Sequence, residues 1–190
     1  NDVYGAHYEH TIHEAFQKYA GKNQRSWIVP KLRGLFSDGS GVVMITQYCR
    51  GKNPRNVVYD ETWKVAGLIA DAMACGNMMW QTRIVHEDFF LRNFIISIDE
   101  NDKTTRGTMI DFDRMRCRHN STEEALSRWI VCILLAFFME LAYIIQRDGH
   151  LAIHGSENGG LELTAPFKVF QGQFELSLVL IDSGNVAHDR

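Results

Sequence analysis

Three polar residues, His86, Asp88 and Asn93, interrupt two apolar runs in IVHEDFFLRNFIIS, residues 84–97. The carboxylate and the amide stand five residues apart, and an apolar, strand-like run starts directly after the amide. Asp111 and Asp113 follow in TMIDFD, at the end of the next apolar run. If the two runs pair as a hairpin, the returning strand ends in Asp111 and brings it back beside Asn93. Side-chain oxygens of this kind suit a hard divalent cation such as magnesium. A carboxylate beside them can orient an attacking hydroxyl and take its proton. The set therefore suits phosphoryl transfer from a nucleotide, a chemistry made mostly of positioning and charge. The blander alternative is that Asp88 and Asn93 cap a turn and Asp111 merely ends a strand.

These groups need elements to aim them. Residues 8–20, YEHTIHEAFQKYA, put Ile12, Phe16 and Tyr19 at helical spacing, with Gly21 as a natural stop. WIVPKLRGLFSDGSGVVMITQYCRG, residues 27–51, reads as a β-hairpin that turns over Ser37–Gly41. Residues 60–81 read as a helix with Trp63, Leu68, Ala72 and Met79 on roughly one face and a break at Gly76. The second hairpin pairs FIISI with GTMIDF across the polar loop DENDKTTR, residues 99–106. Ser121, three residues before Glu124, has the form of a capping box that opens a helix. That helix contains WIVCILLAFFMELAYII, residues 129–145, and runs to about Gly149. Its unbroken apolar run before Glu140 is 11 residues, short of the ~20 that a membrane span needs, so a buried core helix is expected and no span. The loop HGSENGG then leads to a β-like tail, PFKVFQGQFELSLVLID.

His86-x-Asp88 with Asn93, followed by Asp111-Phe112-Asp113, resembles the H-x-D-x-x-x-x-N catalytic loop and D-F-G segment of the protein-kinase-like superfamily. The resemblance covers about residues 8–147. It implies an α+β, protein-kinase-like fold. The partial N-lobe, with a helix-C-like helix, hairpin and hinge, would occupy residues 1–51. A mostly helical C-lobe would occupy 52–155, and 156–190 would be a tail of unassigned role. The resemblance implies Asp88 as catalytic base and His86 as a brace of its loop. It implies Asn93 and Asp111, with Asp113 beside them, as ligands of magnesium, and ATP as phosphate donor. Glu14, with Glu9 as competitor, matches the helix-C glutamate that pairs with a strand lysine. VVMITQYCRGK is similar to the last N-lobe strand and hinge, with Thr46 as gatekeeper and the backbones of Gln47 and Cys49 facing adenine.

The chain also departs from that pattern. No lysine or arginine and no G-x-G-x-x-G loop precedes Glu14. The first three strands are either upstream of this sequence or dispensed with. Glu87 stands where many protein kinases carry an arginine that reads a phosphorylated loop, and Phe90 stands where many carry a lysine. Asp113 replaces the glycine of D-F-G. That second acid is similar to small-molecule members such as choline and aminoglycoside phosphotransferases, and HEDFFLRN resembles divergent fungal kinase-like proteins. No A-P-E motif follows; Thr164-Ala165-Pro166 lacks the acid.

Composition narrows the remainder. A chain of 190 residues, 45% hydrophobic and 23% charged, suits one soluble globular domain. Its net charge of −3 provides no field to recruit nucleic acid or an anionic membrane. Cys49, Cys75, Cys117 and Cys132 form no C-x-x-C pair and are expected as reduced thiols in the cytoplasm. No signal-peptide pattern opens the sequence. His7, His10 and His13 recur every three residues but have no cysteine near them, so zinc is not expected. Arg114, Arg116 and Arg118 either attract an anionic substrate or form a solvated face. Asn120-Ser-Thr is a sequon that a helix cap explains better in a reduced compartment. The expected activity is ATP- and magnesium-dependent phosphotransfer to a hydroxyl of a protein or small molecule. The alternative is a catalytically impaired pseudokinase that binds a partner.

Overall fold

The first helix, α1 (Val3–Lys22), begins five residues before the expected 8–20. It buries Ile12, His13, Phe16 and Ala20, which recur at three and four residues and so share one face. The computed structural model describes residues 3–37 and 41–147, and for residues 3 and 4 the backbone alone. Residues 38–40 of the first turn, the helix end near Gly149 and the tail 156–190 lie outside the described residues.

After α1 the chain departs from the expected strand at Trp27. Ser26–Ile28 form a 3-10 turn, because Trp27 is held at both ends: its indole donates to Asp71 and its carbonyl accepts from the Thr108 hydroxyl at 2.7 Å. The hairpin proper is β1 (Leu32–Ser37) against β2 (Val42–Thr46), antiparallel, with Leu35 opposite Met44. The chain then crosses to the second hairpin at Lys52, which exchanges both backbone hydrogen bonds with Ile96. Gly51, at φ +150°, permits this: a Cβ there would run into the Ile96 carbonyl oxygen.

Next comes α2 (Thr62–Thr82), continuous through Gly76. That glycine is not a break but a point of close packing, since a Cβ would meet Leu134 at 2.8 Å. Past α2, β3 (Ile84–His86) pairs with the short strand β6 (Met115–Cys117), and β4 (Phe94–Asp99) pairs with β5 (Thr104–Met109). The β4–β5 turn is tighter than the expected eight-residue loop, because the Asp99 carboxylate accepts the amides of Asn101 and Asp102. The last helix, α3 (Glu123–Arg147), is capped by Thr122 rather than Ser121: the Thr122 hydroxyl accepts the Ala125 amide at 3.2 Å, while the Ser121 carbonyl is taken by Arg83.

Among the described residues the architecture is α+β, three two-stranded antiparallel sheets among three long helices. Phe89, Phe94 and Phe137 pack with ring centroids 5.0–5.2 Å apart, joining the loop after β3, β4 and α3. α3 is only partly the buried helix expected. Ile130, Phe137, Leu141 and Ile144 are buried, whereas Trp129, Met139 and Tyr143 are exposed. By length and composition it is also the one helix among the described residues that could cross a membrane.

Asp71, in the middle of α2, ties these parts together. Its carboxylate is 3% exposed and accepts from the Gly107 amide (2.7 Å), the Trp27 indole (3.1 Å) and the Arg25 guanidinium (2.9 Å). Asp71→Ala leaves all three donors without this acceptor and is expected to cost roughly 2–4 kcal/mol. Urea unfolding followed by circular dichroism, with an unchanged slope and a lower midpoint, measures it.

Candidate active site

β3 ends in His86, whose side chain is fully buried. Its Nδ1 accepts the Asp88 amide at 3.2 Å. Burial pushes the His86 ring below the ordinary histidine range, although Asp88 and the nearby carbonyls of Ile110 and Asp111 oppose this. The imidazole is therefore neutral at physiological pH and can accept that amide.

The chain then turns tightly: the Phe90 amide donates to the Asp88 carbonyl at 2.9 Å. Phe89 and Leu91 are buried, whereas Asp88 remains partly open to solvent. Asn93 closes the turn by donating through its amide nitrogen to both the Asp88 carbonyl and the Asp88 carboxylate, each at 2.8 Å. With the nitrogen so used, its oxygen is the group left for a cation. The Asn93 carbonyl in turn accepts the Ile110 amide at 2.8 Å, so the hairpin brings Asp111 beside Asn93.

Asp111 itself is not in the strand, which ends at Met109. It has φ +63°, a left-handed conformation that aspartate tolerates at a cost. The turn sends Phe112 into the core, stacked on His13 with centroids 4.5 Å apart and edge-on to Phe16. Burial first, then the charges of Asp113 and Asp88, raise the Asp111 carboxyl above the usual carboxylate range. Asp113 is exposed and lies 3.8 Å from Arg114. The Asp111 carboxyl thus feels the like charges of Asp113 and Asp88, while Asn93 is bonded to Asp88.

Glu14 stands elsewhere. It is 62% exposed and faces His10 at 3.8 Å. Glu9 instead accepts from the Phe112 backbone, and burial together with Asp111 and Asp113 raises its pKa. The physical reason is helical phase: Glu9 shares the inward face with Ile12, His13 and Phe16, and Glu14 lies about 140° round the helix from it.

Gln47 and Cys49 line a cleft of about 780 Å³, together with Trp27, Lys31, Arg50 and Thr108. Thr46 is not in that lining; it ends β2 opposite Leu32. The Gln47 amide is already used by the Lys31 carbonyl at 2.7 Å. Thr108 of β5 lines the cleft, three residues ahead of Asp111, but Asp88, Asp111 and Asp113 are not in its lining.

Two residues at the site had no role in the sequence-based expectation. Arg92 forms an ion pair with Asp88 and lies over the Phe90 ring at 4.8 Å, putting a cation on the carboxylate. Glu140, from the middle of α3, accepts the Leu91 amide at 2.9 Å and pairs with Arg55. The signal for Glu140 was its standing as the one charge inside an apolar helix. The arginines after Asp113 are also partly spoken for, since Arg116 and Arg118 lie 3.5 and 2.9 Å from Glu87.

Oxygen donors from Asn93 and Asp111 fit magnesium in kind, and the like-charge crowding at Asp111 and Asp113 is what a cation relieves. Among the described residues no three His, Cys, Asp or Glu side chains form a ready-made metal cage.

No protein-family model matches the chain, and no curated protein does. Among solved structures, the chain is similar to the Rio2 kinase of Chaetomium thermophilum, solved as its ADP/Mg2+-phosphoaspartate complex. The two are 21% identical with a TM-score of 0.47, over 83% of this chain and 43% of that one. The chain therefore spans less than half the length of that kinase.

Two expectations follow from the site. Glu140→Ala strips the Leu91 amide and Arg55 of their shared acceptor. It should cost roughly 2–3 kcal/mol, and hydrogen exchange at the Leu91 amide should quicken. The acid cluster sets a pH dependence. Because the raised carboxyl of Asp111 binds its proton more tightly in the fold, its contribution to stability is lost as pH rises from the ordinary carboxylate range through its raised value. Asp113→Asn removes part of the repulsion. Without divalent cation it should raise the melting temperature at neutral pH by about 1–3 °C, and the gain should vanish in acid.

Proposed function

We propose that this chain carries the catalytic part of a protein-kinase-like phosphotransferase, which moves phosphate from magnesium-ATP to a hydroxyl of a protein or small molecule. The observation that carries it is the joint between Asp88 and Asn93, with Asn93 bonded in turn to the residue before Asp111. Asp88 is the group to receive the proton of the acceptor hydroxyl. Asn93 and Asp111 would hold magnesium, with Asp113 next to them. The ion would supply charge neutralisation at the phosphates. Arg92 is the cation in contact with Asp88. The cleft beside Gln47 and Cys49, with Lys31 and Arg50 at its wall, is the place for the nucleotide. His86, neutral and buried, keeps the loop in shape.

A second reading has its own support. The Asp88 carboxylate is already engaged by both Arg92 and Asn93. A base so occupied suits a pseudokinase that binds nucleotide or a partner without turnover.

Calorimetric titration with magnesium-ATP and a radiolabelled phosphate-release assay separate the two. The enzyme reading expects binding that Asp111→Asn weakens at least about tenfold. It also expects turnover that Asp88→Asn lowers by about a hundredfold or more while binding persists. Binding with no turnover above that of Asp88→Asn selects the pseudokinase. No binding at millimolar nucleotide sinks both.

A further inference from the structure

Trp129, Cys132, Ala136, Met139 and Tyr143 recur along α3 at alternating intervals of three and four, so they form one stripe. Met139 and Tyr143 are each 64% exposed and Trp129 is 45% exposed. Cys132 is exposed and the small Ala136 half-buried. Between Arg128 and Gln146 the one charged residue is Glu140, and it faces inwards to Leu91 and Arg55. The stripe thus runs about 20 Å without a charge. The Arg118 guanidinium shields one end, 4.6 Å from the Trp129 ring centroid. An apolar surface this continuous marks a face that another segment covers.

We propose that residues 166–182 of this same chain, PFKVFQGQFELSLVLID, cover the stripe. Phe174, Leu176, Leu178 and Leu180 recur at every second position, with Glu175 and Ser177 between the first three and an unbroken apolar run from Leu178 to Ile181, which gives the segment apolar surface of its own to bury. The tether fits. α3 ends at Arg147, just past Tyr143. The 18 residues from 148 to 165 can span up to ~60 Å, enough to reach back along the whole stripe. Within them, HGSENGG supplies the glycines for a reversal. A segment tethered this closely acts at an effective concentration in the millimolar range, which favours it over a free partner or a second copy. The inference stands apart from the phosphotransferase reading.

Cys132, in the stripe between Trp129 and Ala136, reports on the cover, with Cys117 exposed and Cys75 buried as internal references. The full 190-residue chain, kept monomeric by dilution, would be labelled with N-ethylmaleimide under native conditions and each cysteine followed by mass spectrometry. Cys132 should label at least about tenfold more slowly than Cys117. In the variant Leu176→Asp with Leu178→Asp and Leu180→Asp, Cys132 should approach the Cys117 rate while Cys75 stays protected. If Cys75 opens in that variant, the chain has unfolded. Single cysteines placed at 174, 176, 178 or 180 then decide, by whether a short bifunctional maleimide joins them to Cys132 within one molecule. Labelling of Cys132 as fast as Cys117 in the unaltered chain overturns the proposal. So does protection that dilution removes, which indicates a second copy, or protection that needs phosphatidylcholine vesicles, which indicates a membrane. Unchanged protection in the folded triple variant, or no intramolecular cross-link, overturns it as well.

Discussion

One buried carboxylate sets the frame in which everything else is aimed. Asp71 loses water on α2, and that burial alone would push its carboxyl towards the neutral form. Donors from Gly107, Trp27 and Arg25 replace the lost hydration. Gly107 fixes β5 on the helix; Trp27 and Arg25 fix the connector that walls the cleft. The requirement to satisfy a single buried acid therefore sets both the cleft and the strand that delivers Asp111. A leucine at 71 could fill space but could not choose among the ways these elements might dock.

The loop that follows depends on a similar device. Glu140 reaches out of an otherwise apolar stretch of α3 to take a backbone amide three residues past Asp88. Phe89 and Leu91 anchor the same turn in the core. Asp88 is thus fixed at its backbone, and its partly exposed carboxylate is held by Arg92 and Asn93. Around it the chain concentrates unfavourable features: Asp111 in a left-handed conformation, the opposing charges of Glu9, Asp88, Asp111 and Asp113, and a neutral buried histidine. Such features persist where the surrounding packing holds them in place, and they cluster where a charged ligand is to be met.

How much of this was legible in the residues differs by range. The spacing of Asp88 and Asn93 was legible as a pattern within one turn, whereas the hydrogen bond between them came from the structure. The two hairpins follow from alternation and turn residues, although Asp99 shortens one turn and Trp27 draws the start of the first strand into a 3-10 turn. Glu14 and Glu9 show where local reasoning stops. Both lie on the same helix, and the choice between them depends on which face meets Phe112, a residue about a hundred positions away. Gly76 is similar. Helix propensity counts it as a weakness, yet the approach of Leu134 from α3 makes its missing side chain useful. Thr122 takes the place of Ser121 as cap because α3 starts at Glu123, one residue later than the capping-box pattern implied.

The amino-acid sequence by itself determined which groups could do chemistry, the helices and strands that carry them, and the α+β character, because periodicity and side-chain type act over a few residues. Tertiary structure alone decided that Glu9 meets Phe112, that Arg92 turns onto Asp88, that Glu140 steadies the loop and that Asp71 joins three elements. Helical phase, burial and the pairing of isolated charges depend on what packs opposite, and that partner is distant in the chain.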